Sequence, residues 1–314
     1  MIKLVELFGG IGAVRKALER ENIEFESVGY VEIDKNACKS YNALYNENYS
    51  PLSVCDYHLP EEQIDLLVHG SPCISFSMVG KRDGGVEGSG TESSLMWETI
   101  RIIREAKNKP KIVIWENVEN VLKYPEYQRY LDTLDEFGYS STYRVLNSLD
   151  FGIPQTRNRV FTISILNGSK FNFDNLQTTP MEDINKFIDR NFYSDKYRVA
   201  DRTMAIQFGK LPNNPFNGRD MLVGDYARTI VSNYAKVPTS NIVAVGDKYR
   251  HITEKESWLL MGFDETDFEK AQALYPQRYI GGKECMCGIL YRQAGNSIVV
   301  PVLQAIVREL KQYF

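Results

Sequence analysis

Ile2-Lys3-Leu4-Val5-Glu6-Leu7-Phe8-Gly9-Gly10-Ile11-Gly12-Ala13 opens the chain and decides its fold class. The apolar run predicts a strand, and Gly9–Gly12 a tight turn. Ala13–Glu21 has helical spacing, with Val14, Ala17 and Leu18 on one face. The same alternation continues downstream. Strands are expected at Glu26–Ile33, Asp65–Val68, Lys111–Trp115 and Arg159–Leu166, and helices at Leu95–Ala106 and Tyr127–Phe137, the latter stopped by a left-handed Gly138. A last helix runs through about Val299–Tyr313. This order implies an α/β fold, an open, mostly parallel sheet with helices on both faces. From Phe171 to Asp247 the chain is rich in Asn, Asp, Pro, Tyr and basic residues, with weak periodicity. A small irregular domain is therefore expected at 171–249, and one larger domain from 1–170 and 250–314.

The composition is that of an ordinary globular protein: 314 residues, 43% hydrophobic, 25% charged, formal net charge −4. No apolar run approaches the ~20 residues of a membrane-spanning helix. The N-terminus lacks a signal-peptide pattern, so a cytoplasmic chain without membrane partners is expected. Five cysteines and three histidines show no ligand spacing, and Cys285 and Cys287 alone cannot complete a structural zinc site, so no metal is expected. Arg190–Arg250 carries ten Lys and Arg, five Asp and no Glu, a local +5 that leaves the remainder at −9. That asymmetry suits a localised polyanion-binding surface, and equally a solvated loop region.

Chemistry is expected where strands end, because α/β sheets bind ligands at their carboxyl edge. The turn after the first strand is not a dinucleotide fingerprint, since Arg15 occupies the third glycine position. The next strand ends in Glu32, Ile33 and Asp34, and a carboxylate there can accept both hydroxyls of a ribose. Turn and carboxylate together suit an adenosine ligand without a pyrophosphate, such as S-adenosylmethionine; alone they serve equally as a tight turn and a charged strand end. Gly70-Ser71-Pro72-Cys73 follows the third strand, with proline restricting the backbone before a candidate nucleophile. Trp115-Glu116-Asn117-Val118 ends the next strand. A thiolate and a carboxyl group that can stay protonated meet the needs of nucleophilic attack on a pyrimidine: sulfur adds to C6, the acid protonates N3, and C5 becomes nucleophilic. Gln155-Thr156-Arg157-Asn158-Arg159 spaces two arginines so that both can point from one side of an extended segment, where they can bind a carbonyl or phosphates and lower the cysteine pKa.

These stretches, with Arg250–Glu254, Met261-Gly262-Phe263 and Gln293–Ser297, resemble in content and order the motifs of the DNA (cytosine-5)-methyltransferase family, and the length resembles its compact bacterial and phage members. The resemblance implies Cys73 as nucleophile, Glu116 as the group engaging N3 and the amino group, and Arg157 and Arg159 as catalytic-site arginines. For the cofactor S-adenosylmethionine, whose product is S-adenosylhomocysteine, it implies Phe8, Gly10, Gly12, Glu32, Ile33, Asp56, Pro72, Asn296 and Ser297. The loop Lys81–Gly90, glycine-rich and without a large apolar side chain, resembles the segment that closes over a flipped base, which makes Lys81 and Arg82 DNA-binding candidates. Ala227-Arg228-Thr229-Ile230 looks like the family's Thr-Leu recognition element and adds Arg228 and Thr229. The family reading implies a monomer acting on double-stranded DNA at the nucleoid, with a cognate restriction endonuclease acting separately if one exists. A tRNA-methylating enzyme is disfavoured, because no cysteine stands between Cys73 and Cys285. The intact motifs disfavour a non-catalytic DNA-binding relative, and Arg15 disfavours a nicotinamide oxidoreductase.

Overall fold

The computed structural model describes residues 1–72, 86–88, 92–238 and 240–314. Cys73, Lys81, Arg82 and most of the glycine-rich loop lie outside the described residues.

In chain order the first elements are β1 (Ile2–Leu7), α1 (Ala13–Arg20), β2 (Phe25–Val31), α2 (Lys35–Tyr45), β3 (Leu66–His69), α3 (Met96–Glu105), β4 (Ile112–Asn117), α4 (Pro125–Glu136), β5 (Tyr139–Asn147), β6 (Gln155–Thr156) and β7 (Asn158–Leu166). After them come α5 (Asp201–Gln207), β8 (Ala227–Arg228), β9 (Ile242–Val245), β10 (Lys248–His251), α6 (Glu254–Leu259), α7 (Glu265–Gln272), β11 (Arg278–Ile280), β12 (Lys283–Cys285), α8 (Gly288–Asn296) and α9 (Val300–Leu310). They divide into two compact units. One comprises Met1–Asn147, Asn158–Thr179 and Val300–Phe314; the other comprises Ser148–Arg157 and Pro180–Val299.

The first unit is built on a six-stranded sheet of order β2-β1-β3-β4-β7-β5. β2, β1, β3 and β4 run parallel, and β7 is antiparallel to both β4 and β5. The expected α/β sheet is therefore present, with one reversed strand near its edge. Val5, Leu7, Leu67, Val113, Trp115 and Val160 pack on one face against Ile100 and Ile103 of α3 and Tyr127, Tyr130 and Leu134 of α4. The alternating positions Leu4, Leu66, Val68, Ile112, Ile114 and Ile163 are also at most 3% exposed, so both faces are covered, as a sheet with parallel strands at its centre requires. Helix α1 buries Val14, Ala17 and Leu18 as its spacing predicts, and packs against α9. Gly138 terminates α4 with φ 90°.

In the second unit short pairings replace a large sheet: β6 with β8, β9 with β10, and β11 with β12. Its clearest helix start is α6, where Thr253 and Glu256 form a reciprocal capping box. The units do not follow the composition boundaries at 170/171 and 249/250. Phe171 packs in the sheet unit, its carbonyl accepting a hydrogen bond from Thr142 at 3.0 Å. Arg250 and Glu256, an ion pair at 2.6 Å, belong to the second unit.

Candidate active site

The turn after β1 is held by its neighbours. Phe8, Gly10 and Gly12 have φ of 56°, 53° and 79°. Glycine adopts such angles freely; phenylalanine does so only where surroundings enforce it. The enforcement comes from tyrosines the sequence reading missed. The Tyr30 hydroxyl donates to the Gly10 carbonyl at 2.7 Å and the Tyr45 hydroxyl to that of Gly12 at 2.6 Å. A Cβ on Gly12 would lie 2.4 Å from the Tyr45 ring, while one on Gly10 would meet none of the described residues within 4 Å. Arg15, in place of a third glycine, sets its guanidinium 4.6 Å from the centre of the Tyr45 ring. Tyr41 and Tyr45 lie one turn apart on α2, a spacing that could have signalled them.

Glu32 follows β2 and closes the turn from the other side. Its Oε2 accepts from the Gly10 amide at 3.0 Å and its Oε1 from the Asp34 amide at 2.8 Å. Burial raises its pKa, and these amide bonds oppose the rise. Each carboxylate oxygen retains a second lone pair. Beside it Ile33 leaves 73% of its surface exposed. An uncrowded glycine backbone, a half-buried carboxylate and an uncovered apolar side chain at one sheet edge fit a nucleoside with a hydroxylated sugar and an apolar base face. Asp56 closes a 3-10 turn, Val54–Asp56, capped by Ser53, and is exposed.

The ends of β3 and β4 are tied together. Trp115 donates its indole N–H to Ser71 Oγ at 3.0 Å, and the Asn117 amide donates to the Ser71 carbonyl at 3.2 Å. Ser71 thus holds the backbone two residues before Cys73, immediately ahead of Pro72. Glu116, between these anchors, is 9% exposed and pairs through Oε1 with Arg159 Nε at 3.1 Å. Arg159 also donates to the Asn158 carbonyl at 2.7 Å. A carboxyl group beside a fixed guanidinium can accept from, or donate to, a heterocycle's nitrogen edge.

Arg157 is placed differently. It is 4% exposed in the second unit and donates to the carbonyls of Ile230 at 3.0 Å, Gly295 at 3.0 Å and Ser297 at 2.9 Å. It ties the recognition-like segment to the backbone on both sides of Asn296. Gln155 joins the same knot, accepting from the Ile230 amide at 2.9 Å and donating to the Leu260 carbonyl at 2.8 Å. Thr229 donates to the Thr156 carbonyl at 2.6 Å. Arg228 is exposed, its guanidinium 3.5 Å from Asp220. Asn296 is exposed and Ser297 buried. Among the described residues no group of three or more His, Cys, Asp or Glu is placed to hold a metal, and no helix is long and apolar enough to cross a membrane.

Residues 2–312 match the family of C-5 cytosine-specific DNA methylases. The chain is 30% identical to the type II methyltransferase M2.ScrFI of Lactococcus lactis subsp. cremoris, over 99% of each chain. It is 26% identical to the orphan methyltransferase M.SPBetaI of Bacillus phage SPbeta, over 98% of this chain and 97% of that one. Among solved structures, the Entamoeba histolytica methyltransferase EhMeth superposes with a TM-score of 0.77 at 18% identity, over 99% of this chain and 98% of that one. The S. pombe Dnmt2 methyltransferase gives 0.76 at 18% identity, over 99% of each chain; these two establish the fold. The ordered motifs, the sheet and the match along nearly the whole chain agree: the chain belongs to the C-5 cytosine-specific DNA methylase family and is a DNA cytosine-5 methyltransferase.

Proposed function

We propose that the chain methylates C5 of a cytosine flipped out of a short specific site in double-stranded DNA, through a covalent bond between Cys73 and C6. The observation that carries this reading is the junction of the β3 and β4 ends, where Ser71 is held by Trp115 and Asn117, and Glu116 is paired with Arg159. The Cys73 thiolate adds to C6 and pushes electrons toward C5, while Glu116 supplies a proton to N3. Arg159 fixes the Glu116 carboxyl group and adds positive potential beside the base. The bound cofactor, S-adenosylmethionine, supplies an electrophilic methyl group. Phe8, Gly10, Gly12, Glu32 and Ile33 would hold its nucleoside, with Asp56, Pro72, Asn296 and Ser297 completing the set. A base then takes the C5 proton, the C5–C6 double bond re-forms as the thiolate is expelled, and N3 returns its proton to Glu116. Extrusion of the base costs a few kcal/mol of stacking, offset by phosphate contacts from the basic 190–250 stretch and from Lys81 and Arg82, with Arg228 and Thr229 at the recognised bases. Residues 171–249 would act as the target-recognition domain. We place the enzyme in the cytoplasm at the DNA, as a monomer, with any cognate endonuclease acting separately.

The test is base-resolution mapping of cytosine modification in cells expressing the chain beside cells expressing Cys73→Ser. One short motif modified only with the intact chain is expected. Equal modification in both would remove Cys73 from the chemistry. Glu116→Gln should slow methyl transfer by about 10²–10⁴-fold.

A further inference from the structure

We propose that the β11–β12 hairpin is a second DNA-contacting element, outside the 171–249 segment, which grips duplex flanking the target; this rests on the DNA reading above. The hairpin turns through Gly281 and Gly282, at φ 57° and 77°, the two-residue geometry suited to twisted strands. Its register pairs Arg278 with Cys285, Tyr279 with Glu284 and Ile280 with Lys283. Directly paired residues share a face of an antiparallel ribbon. Arg278, Ile280 and Lys283 therefore lie on one face, and Tyr279 and Glu284 on the other.

The second face is pinned. Glu284 pairs with Lys196 at 3.2 Å, and Lys196 also pairs with the buried Glu254 at 3.3 Å. Glu254 in turn accepts from the Tyr197 hydroxyl at 2.5 Å and the Cys287 amide at 2.6 Å. An isolated two-stranded ribbon is marginal in water; the anchoring of Glu284 gives it a fixed stem, Tyr279 on the same face stays 59% exposed, and the opposite face carries the exposed Arg278, Ile280 and Lys283. On that face Ile280 is 68% exposed, more than any other large apolar side chain among the described residues of the second unit. Lys283 stands directly opposite it and Arg278 two residues before it on the same strand, and neither forms an ion pair among the described residues. Two uncompensated cations flanking an apolar tip on a rigid stem match a duplex: the cations meet phosphates, and the tip meets the floor of a groove.

The test compares wild type with Arg278→Ala/Lys283→Ala for binding to a fluorescein-labelled mixed-sequence duplex between about 50 and 200 mM salt. Each phosphate contact contributes about 0.9 to the slope of log affinity against log salt. The double variant should lose about 1.8 from that slope, so its fall in affinity across the window is about tenfold smaller. Equal slopes would overturn the assignment. Arg278→Gln/Lys283→Gln, which keeps polar stems on the ribbon, repeats the test if the alanine protein fails to fold. A wild type that binds no duplex at any salt would sink the DNA reading itself. Sedimentation adds one outcome: a wild-type dimer that dissolves in Ile280→Ser, with the duplex slope intact, would make the hairpin a surface for a second copy of the chain and remove it from DNA.

Discussion

Replacing His69 with phenylalanine should change how stability depends on pH, in a direction the structure fixes. His69 ends β3 with no exposed surface, its ring stacked on Trp115 at 5.5 Å and its Nε2 2.8 Å from the Tyr130 hydroxyl. Nδ1 has no hydrogen-bond partner among the described residues. Burial with no compensating acid pushes the imidazole down to about 3. The unfolded chain takes up this proton near pH 6.5, so below that pH the unfolded state binds one more proton than the native state. His69 therefore contributes stability that is intact above about pH 6.5 and is lost as pH falls toward 3. At about 1.4 kcal/mol per pH unit, the loss is about 2 kcal/mol at pH 5 and about 4 kcal/mol at pH 3. Phenylalanine keeps the stacking on Trp115 but leaves the Tyr130 hydroxyl unpaired, which costs about 1–3 kcal/mol at neutral pH. The variant should thus be the weaker protein at pH 7, draw level near pH 5 and be the stronger below it. Urea denaturation of both proteins between pH 4.5 and 7.5 measures the difference, in which the titration of every other group cancels. A difference that stays constant with pH would refute the claim that His69 remains neutral in the fold.

Three further substitutions probe other parts of the molecule. Burial pushes the fully enclosed Glu6 carboxyl group up to about 7, against the hydrogen bond from Tyr41. Its contribution is full below about pH 4.5 and falls away by about 3 kcal/mol as pH rises through 7, so Glu6→Gln should gain on wild type between pH 5 and 8 in urea denaturation. Gly295→Ala would set a Cβ 2.4 Å from the Ser232 amide nitrogen and 2.5 Å from the Val231 carbonyl carbon. Backbone cannot yield as a side chain can, so about 3 kcal/mol of stability should be lost, and an unchanged denaturation midpoint would exclude the contact. Tyr45→Phe removes the hydrogen bond to the Gly12 carbonyl; the KM for the methyl donor should rise by about 2- to 10-fold with kcat and the KM for DNA unmoved, and an unaltered donor KM would release Tyr45 from shaping the turn.

What the sequence made legible was local. The β1 run, the glycine turn and α1 were written in consecutive residues, and the structure holds them within a residue or so of the expected bounds. Helix α2 was missed although Asp34 caps it, accepting from the Asn36 amide at 2.8 Å, because its apolar positions Ala37, Cys38, Tyr41 and Leu44 are diluted by Asn, Lys and Ser. Strand β5, Tyr139–Asn147, is a polar edge strand whose place depends on pairing with β7. The tyrosine clamp on the turn and the Trp115–Ser71 bond join residues 20 to 44 positions apart, so no window of sequence displays them. The extent of the second unit is equally non-local: Ser148–Arg157 joins Pro180–Val299 through contacts such as that of Gln155 with Leu260.

The arginine motif shows the limit most sharply. A spacing of two places Arg157 and Arg159 on one side only if the segment is a single unbroken strand. It is not: β6 ends at Thr156 and β7 begins at Asn158, leaving Arg157 between two pairings that run in different sheets. Arg159 takes its direction from β7, the antiparallel neighbour of β4, and so reaches Glu116. Arg157 takes its direction from the pairing of β6 with β8, which brings the Ile230 carbonyl within reach, and it meets two further carbonyls around Asn296. Desolvating a guanidinium completely is costly, and three carbonyl acceptors offset that cost where a catalytic contact in an open pocket would not. We therefore assign Arg157 to holding the backbone of the recognition-like and closing motifs in place, and Arg159 to the Glu116 carboxyl group with which it pairs.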